Sequence, residues 1–248
     1  MKGLLSAATG CLLLISCLHQ APSGRIEQTR RYPELFRAGH LAPHGLGFSR
    51  VYSHARDEAI DRAGEMALRS LSWSIHLRVA GERLFERTGD GELEFRGESI
   101  ELLEVPQLAL AECVVETLET DSHVWIAAHS EGHESPSLGV SLEFSAEPPG
   151  WVTEGRRDSD WIFASGSARS SHRDEPGAWE VAAYRAVVEL AFSTGLAHRN
   201  LEKATEGYAA GASTDAVDAR FNGVRVVGRW RDQVHVYVLV ATPVPGRE

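Results

Sequence analysis

Two pairs of histidines have a spacing that could hold a metal ion. His129 and His133 lie four positions apart with acidic residues beside them, which on a helix would resemble half a zinc site. The glycine and proline in the same segment break any helix, so we interpret this pair as part of a solvated loop. His40 and His44 repeat the spacing beside another proline and glycine, and we interpret them in the same way. The sequence therefore predicts no metal site and no other cofactor.

A serine-rich segment before a predicted helix could supply a nucleophile or an anion-binding turn. It contains Ser165, Gly166, Ser167, Ser170, Ser171 and His172. A nucleophile elbow needs a glycine two residues before and two after the serine, and Ser167 has neither. A phosphate loop needs a lysine and a second glycine, which are also missing. The helix start could bind an anion, but Asp174 and Glu175 already occupy that place. We expect no catalytic residue and no enzymatic activity.

Aromatic and basic side chains cluster in the second half of the chain. The tryptophans there are Trp151, Trp161, Trp179 and Trp230. They could form an aromatic binding surface, but we favour packing in the core and at the entry strand. Arg229 and Arg231 alternate with Trp230, so we expect them to face solvent on the other side of a strand.

The N-terminal segment has the anatomy of an export signal. Lys2 precedes an apolar tract from Leu4 to Ile15, which is too short to span a hydrocarbon core of about 30 Å as a helix. The run Leu14-Ile15-Ser16-Cys17 resembles the lipobox of bacterial lipoproteins. This resemblance implies that residues 1–16 are removed and that Cys17 becomes an acylated N-terminus. Each buried methylene adds about 0.8 kcal/mol, so several acyl chains anchor a protein stably.

Other outcomes for this signal stay open. It could be an ordinary secretory signal cut near Ala21, with Cys17 discarded, and Cys11 is a weaker lipobox because its apolar tract would be too short. Leu18 follows Cys17 where an aspartate would mean retention in the inner membrane of a Gram-negative cell. We therefore expect an outer-membrane lipoprotein that faces the periplasm.

Composition excludes several kinds of partner. The chain of 248 residues has a net charge of −10 and no clustered Lys and Arg, which argues against binding nucleic acid or anionic lipid surfaces. The only cysteine besides those of the signal and lipobox is Cys113, so an intramolecular disulfide is excluded in the mature chain. Cys113 lies in an apolar-alternating segment and is expected to be a small core residue.

The pattern of apolar residues divides the chain into a signal, a linker and two modules. We expect a tether at 17–44, because it has no sustained periodicity, a first α/β module at 45–137 and a second at 138–248. Predicted helices cover 57–79 and 176–198. Predicted strands cover 46–53, 111–118, 123–128, 161–165, 222–230 and 234–242, with a possible hairpin at 88–91. Loops are expected at 129–137 and from Gly166 onward, and a small, polar stretch runs through Gly207, Gly211 and Thr214 after the second helix.

The two modules match each other. Ala59, Ala63 and Ala67 superpose on alanines of the second helix, and His123-Val124-Trp125-Ile126 aligns with His235-Val236-Tyr237-Val238. Any two alanine-striped helices align in this way, but the recurring order of elements favours a duplication. The sequence thus predicts an α+β fold of two β-α-β-β units, each with one helix packed on a small, mainly antiparallel sheet.

Short motifs surround the helix and strands of the second half. They are Pro149-Gly150-Trp151-Val152, Phe163-Ala164-Ser165-Gly166-Ser167-Ala168, Glu189-Leu190-Ala191, Gly223-Val224-Arg225-Val226-Val227, Trp230 and Val236-Tyr237-Val238-Leu239-Val240. On these motifs, residues 149–242 resemble the LPP20 family of bacterial lipoproteins. The first half looks like a diverged copy, with Tyr52-Ser53-His54-Ala55 where the second half has Ser165-Gly166-Ser167-Ala168.

The resemblance implies a cell-envelope lipoprotein with no known catalytic residues. Related modules occur in flagellar accessory lipoproteins and are similar to lipoprotein activators of penicillin-binding proteins, which act by contact. We expect a membrane-anchored, non-enzymatic interaction module with a protein partner in the envelope. The alternatives are an accessory of a flagellar or peptidoglycan-synthesis assembly and, less favoured, a hydrolase or a metal-binding protein.

Overall fold

The structure is a computed structural model that describes residues 31–52, 54–87, 92–103, 105–130, 137–156, 158–171, 173–205 and 208–245. The predicted signal, Cys17 and the first part of the predicted tether lie outside these residues. Residues 31–248 form one compact unit. None of the helices in the described ranges combines the length and the apolar character needed to cross a membrane.

The first half contains two helices and six strands. In chain order these are β1 (Tyr32–Pro33), α1 (Glu34–Ala38), β2 (Gly45–Arg50), α2 (Arg56–Ile75), β3 (Leu77–Arg87), β4 (Leu93–Leu103), a 3-10 turn (Leu110–Glu112), β5 (Val114–Glu119) and β6 (His123–His129). The first turn of α2 carries Asp57 and Glu58, which favour the positive end of the helix dipole. The helix ends at Ile75, four residues earlier than the pattern predicts, because the chain continues directly into β3.

The second half repeats this order. Its elements are β7 (Ser141–Leu142), α3 (Gly150–Thr153), β8 (Trp161–Arg169), α4 (Glu175–Gly195), β9 (Leu196–Thr205), β10 (Tyr208–Phe221), β11 (Arg225–Arg231) and β12 (His235–Pro243). Pro176 lies in the first turn of α4, where its fixed φ suits a helix and its missing N–H costs nothing. Gly195 is the last residue of the helix and β9 follows at once.

Two three-stranded antiparallel sheets each carry one of the long helices. The strand order is β2-β6-β5 in the first and β8-β12-β11 in the second, so each half places its last strand in the centre. Helix α2 packs on β2 and β6, and α4 packs on β8 and β12. The predicted α+β class, with a helix on a small antiparallel sheet in each half, is confirmed.

The two halves also share their strand register. Gly47 of β2 is paired with Ile126 of β6, and Gly166 of β8 is paired with Val238 of β12. The alignment of the two helices places Gly47 on Gly166, and the alignment of the two final strands places Ile126 on Val238. The two pairs are therefore equivalent positions in the two halves. The alignment of Tyr52-Ser53-His54-Ala55 with Ser165-Gly166-Ser167-Ala168 is therefore wrong, because Gly47 is the structural counterpart of Gly166.

The matched glycines explain the alanine stripes. A Cβ atom on Gly47 would overlap the carbonyl oxygen of Ala63 in α2, and one on Gly166 would overlap that of Ala182 in α4. In each half the helix backbone lies directly on the first strand, which requires small residues on both elements. The stripe alanines of both helices are buried.

A four-stranded sheet joins the two halves, and the sequence patterns did not predict it. Strands β3 and β4 pair antiparallel, which confirms the predicted hairpin, although its turn at 88–91 lies outside the described residues. Helix α4 was expected to continue to about residue 198 and to be followed by a small, polar stretch, but residues 196–205 form β9 and residues 208–221 form β10. Because β3 also pairs with β10, the sheet order is β4-β3-β10-β9. Each unit is thus a β-α-β-β-β-β arrangement rather than the predicted β-α-β-β.

The described part of the predicted tether is folded. Tyr32, Leu35 and Phe36 are buried, and β1 pairs with β7. Phe36 stacks edge-on against Phe48, Trp125 and Trp179, so this segment links the two units. The expectation of a free linker up to residue 44 is wrong here, because a five-residue helix with a few large anchors produces no detectable periodicity.

Candidate functional site

A cavity of about 390 Å³ lies between α2 and α4. We call it the central cavity. Its walls are mostly apolar and come from β2, α2, β4 with the residues after it, α4 and β11. The apolar lining residues are Leu46, Met66, Trp73, Leu102, Val105, Trp179, Ala183 and Val226. Its polar lining consists of Arg69, Ser70, Glu180, Tyr184 and Arg229. This volume falls within the range of about 300–1,000 Å³ that is usual for small-molecule pockets.

The helices are bridged by ion pairs beside the central cavity. Arg69 of α2 contacts Glu180 of α4 at 2.8 Å, and Arg62 contacts Asp174 at 2.6 Å. All four side chains are partly exposed, so each bridge adds only about 0–1 kcal/mol of stability. Their consequence for the cavity is that Arg69 and Glu180 neutralise each other.

Arg229 is the unbalanced charge of the central cavity. The residue is only 6% exposed, and no carboxylate of the described residues pairs with it. Its Nη1 donates a hydrogen bond to the carbonyl oxygen of Phe36 at 3.1 Å, and its guanidinium lies 4.4 Å from the centre of the Phe36 ring. Burial without a counter-ion lowers the pKa of Arg229. A buried cation that lacks an anion is costly, so this position is suited to receiving one.

Arg229 also reaches a second cavity of about 250 Å³, on the side of α1. Glu34, Arg37, Phe144 and Trp151 contribute to the walls of this outer cavity. Arg229 therefore lines both spaces. Arg37 adds a second positive charge to the outer cavity, and its Nε is buried with no partner among the residues that the structure describes.

Two indole N–H groups beside the central cavity lack acceptors. Nε1 of Trp73 and Nε1 of Trp179 are inaccessible to solvent and make no hydrogen bond within the described part of the chain. Buried donors are nearly always paired, and leaving one unpaired costs about 1–3 kcal/mol. Because neither nitrogen has accessible surface, both are unpaired donors of the surrounding core and do not line the cavity themselves.

Sequence reasoning missed this site because it placed Arg229 and Arg231 in solvent. That expectation is wrong for both residues. Strand β11 is covered by α1 on one side and contacts α2, so the side chains that alternate with Trp230 are also enclosed. A bulge between Val226 and Gly228 shifts the alternation further. No local pattern indicates that both faces of an edge strand are covered.

Arg231 belongs to a separate buried network at the start of α4. Tyr32 donates its hydroxyl hydrogen to Glu175 Oε1 at 2.5 Å, and Arg231 Nη1 donates to the same Oε1 at 3.2 Å and to the Tyr32 oxygen at 2.9 Å. Arg231 Nη2 also donates to Ser170 Oγ at 3.2 Å, and His123 Nε2 lies 3.8 Å from Glu175 Oε2. Burial, and then the charge of Glu175, raise the pKa of Tyr32. The groups of this network satisfy each other, which makes it a structural link between the halves.

The serine-rich segment takes structural positions. Ser165 and Ser167 lie within β8, which extends to Arg169 rather than ending before Gly166 as predicted. Ser171 Oγ accepts the backbone N–H of Asp174, and Asp174 Oδ1 accepts that of Gly177. These contacts cap the first turn of α4, and His172 lies outside the described residues.

The predicted histidine pairs do not form a metal site in the described structure. His129 is buried at the end of β6, which corrects its placement in a solvated loop, whereas His133 lies outside the described residues. His44 is also buried rather than solvated, and its Nδ1 hydrogen-bonds the carbonyl oxygen of Ala42 at 2.9 Å. Across the described ranges, no group of three metal-binding side chains converges.

The remaining predicted residues lie in the core or beside it. Trp179 and Trp230 are buried, and Trp151 and Trp161 pack half-buried on the outer face of the second sheet. Cys113 is half-buried against the cluster under α2, and burial raises the pKa of its thiol. Cys17, the predicted lipidation site, lies outside the described residues.

Comparisons with protein-family models, with curated proteins and with solved structures found no match to this chain.

Proposed function

We propose that the protein is a membrane-anchored lipoprotein of the cell envelope that acts by binding rather than by catalysis. The observation that carries this proposal is the run Leu14-Ile15-Ser16-Cys17 at the end of a short apolar tract. Acyl chains on Cys17 would hold the folded unit at the membrane, on the periplasmic side of the outer membrane if the host has one. The LPP20-like motifs of residues 149–242 support the same assignment.

The described surface supports a contact role. Strand β5 is an edge strand of the first sheet, and its Val114 and Val115 are exposed. Phe95 is more than half exposed on β4, the edge strand of the four-stranded sheet, and Leu84 is exposed on neighbouring β3. Unpaired edges with apolar side chains favour strand addition by a partner. The partner is an envelope protein under this proposal, and a flagellar or peptidoglycan-synthesis assembly remains the alternative context.

The anchor is tested by replacing Cys17 with serine. We expect Cys17→Ser to move the protein from the membrane fraction to the soluble fraction, and to abolish incorporation of a labelled fatty acid, because the acylated sulfur is lost. Cys11→Ser is the matched control within the same apolar tract and should stay in the membrane and keep the label. A Cys17→Ser protein that remains membrane-bound would overturn the proposal.

The contact role is tested by crosslinking in cells followed by mass spectrometry. We expect recovery of one recurrent envelope protein, and loss of that partner when a charge is placed on the exposed edge by Val115→Lys. Val181→Lys, on the exposed face of α4, is the control and should keep the partner. Equal recovery with both variants would exclude the β5 edge as the contact surface.

A further inference from the structure

The central cavity has the features of a ligand site that does not depend on where the protein is anchored. It is open to solvent on the side of Arg69, and its volume of about 390 Å³ is far larger than the water-sized gaps that packed elements leave between them. Its lining is chiefly apolar, so a small polar metabolite would leave most of the wall without complementary contacts. An occupant with a substantial apolar part matches this wall.

The charged residues of the lining indicate which polar head group a ligand of this cavity would carry. Arg69 and Glu180 pair with each other at the rim, which leaves Arg229 as the uncompensated charge. Only 6% of the surface of Arg229 is exposed. Among the described residues its guanidinium has two partners, the carbonyl oxygen and the ring of Phe36. A guanidinium binds a carboxylate with a strong, charge-assisted hydrogen bond.

We infer that the central cavity binds a small amphiphile with one carboxylate, whose head pairs with Arg229 and whose apolar part lies against Trp73 and Trp179. At about 30 Å³ for each water-sized group, the cavity accommodates a chain of about ten carbons with its carboxylate.

The test uses the full chain carrying Cys17→Ser, so that no detergent is needed to keep an acylated protein in solution. Binding of decanoate is measured by calorimetry and by the fluorescence of the tryptophans. Decanol and decyltrimethylammonium are the neutral and cationic comparison ligands. We expect decanoate to bind at least about 10-fold more tightly than decanol, because a hydrogen bond to a charged group is worth that factor or more. The cationic ligand should not bind.

Two variants test the placement of the ligand. Arg229→Met should weaken decanoate binding to the level of decanol, and Ala183→Phe should weaken binding of both ligands by filling the cavity. Val181→Phe introduces the same ring on the exposed face of α4 and should bind decanoate like the parent chain. Circular dichroism and thermal unfolding establish that each variant is folded.

Several results would overturn the inference. Equal affinity for decanoate and decanol would show that Arg229 does not select the head, and this comparison needs no variant. Undiminished binding to a folded Ala183→Phe would place the ligand elsewhere. Absence of decanoate binding to the parent chain at millimolar concentration would exclude the site, whatever the outcome of the Cys17→Ser fractionation.

Discussion

The guanidinium of Arg229 is held by a carbonyl oxygen and an aromatic face instead of an acid, in a protein whose acidic residues outnumber its basic ones. Nearby Arg231, two residues along the same strand, has a complete set of partners in Glu175, Tyr32 and Ser170. Arg231 therefore belongs to a structural network, whereas Arg229 lacks a counter-ion that a ligand could supply. Composition alone does not distinguish them, since both are buried arginines on β11.

A buried histidine makes stability depend on pH at the residue scale. Burial lowers the pKa of His44 from 6.5 to about 4, and the nearby charge of Arg229 contributes in the same direction. Below pH 6.5 the unfolded chain takes up a proton that the folded chain does not, so stability falls as the pH drops towards 4. The loss from this residue reaches roughly 3 kcal/mol at most.

The measurement is urea unfolding at pH 7 and at pH 4.5, in the parent chain and in His44→Gln. We expect the variant to lose less stability than the parent between the two pH values, because its amide does not titrate. His54→Gln is the matched control, because His54 is an exposed histidine and is not among the groups that shift the pKa of His44. The same pH dependence in parent and His44→Gln would contradict the prediction.

At the scale of elements, the close contact of α2 with β2 is repeated in the contact of α4 with β8. Gly47 and Gly166 occupy matching places under α2 and α4, where any side chain would meet helix backbone. This approach cannot be made with a Cβ atom in place. The two halves thus share a glycine at this contact between strand and helix.

Substitution of these two glycines should lower the stability of the protein more than substitution of a glycine at a strand position that has no helix above it. We expect Gly47→Ala and Gly166→Ala each to destabilise the protein by about 1–3 kcal/mol, since overpacked positions force backbone shifts. Gly97→Ala is the control, because nothing lies within 4 Å of the added atom on β4, and its effect should stay within about 0.5 kcal/mol. Chemical denaturation provides the measurement, and a neutral Gly166→Ala would show that the helix can lift from the strand.

The elements that follow strong local patterns were predictable from the sequence, and those determined by long-range contacts were not. The stripe of Ala59, Ala63 and Ala67 predicts α2 because a helix repeats every 3.6 residues. Strand β10 is rich in alanine and contains glycine, so it lacks the β-branched alternation that predicts a strand, and its pairing with β3 depends on residues far away in the chain. The central cavity was unpredictable for the same reason, since Arg229 reaches it only when α1 covers β11.

At the scale of the whole molecule, the four-stranded sheet turns two similar units into one. The pairing of β3 with β10 extends from Leu77 to Glu86, which is all but the last residue of β3. Arg78 and Asp218 reinforce it with a bidentate ion pair whose two contacts are both 2.8 Å. Phe36 and Trp179 add a second connection between the units through the core. One hydrophobic core cluster contains buried residues of both halves.

We therefore expect the described unit to unfold in a single cooperative step. Far-ultraviolet circular dichroism, which reports both halves, and tryptophan fluorescence should give coincident urea transitions. Two separated transitions would mean that the halves are independent domains and that the shared sheet contributes little. A disruptive Val79→Pro substitution in β3 should lower the midpoint of the whole transition rather than split it, because Val79 is fully buried and pairs on both sides.

The shared sheet also determines when the protein can fold during its synthesis. Arg78 and Asp218 are separated by 140 positions, so one edge of β3 has no partner until almost the entire polypeptide has left the ribosome. At about 5–20 residues per second, that interval lasts many seconds, during which an unpaired strand edge can recruit other chains. A chain that completes its sheet only at the end of translation therefore folds late, and the free edge of β3 is the position at which association with other chains competes with folding.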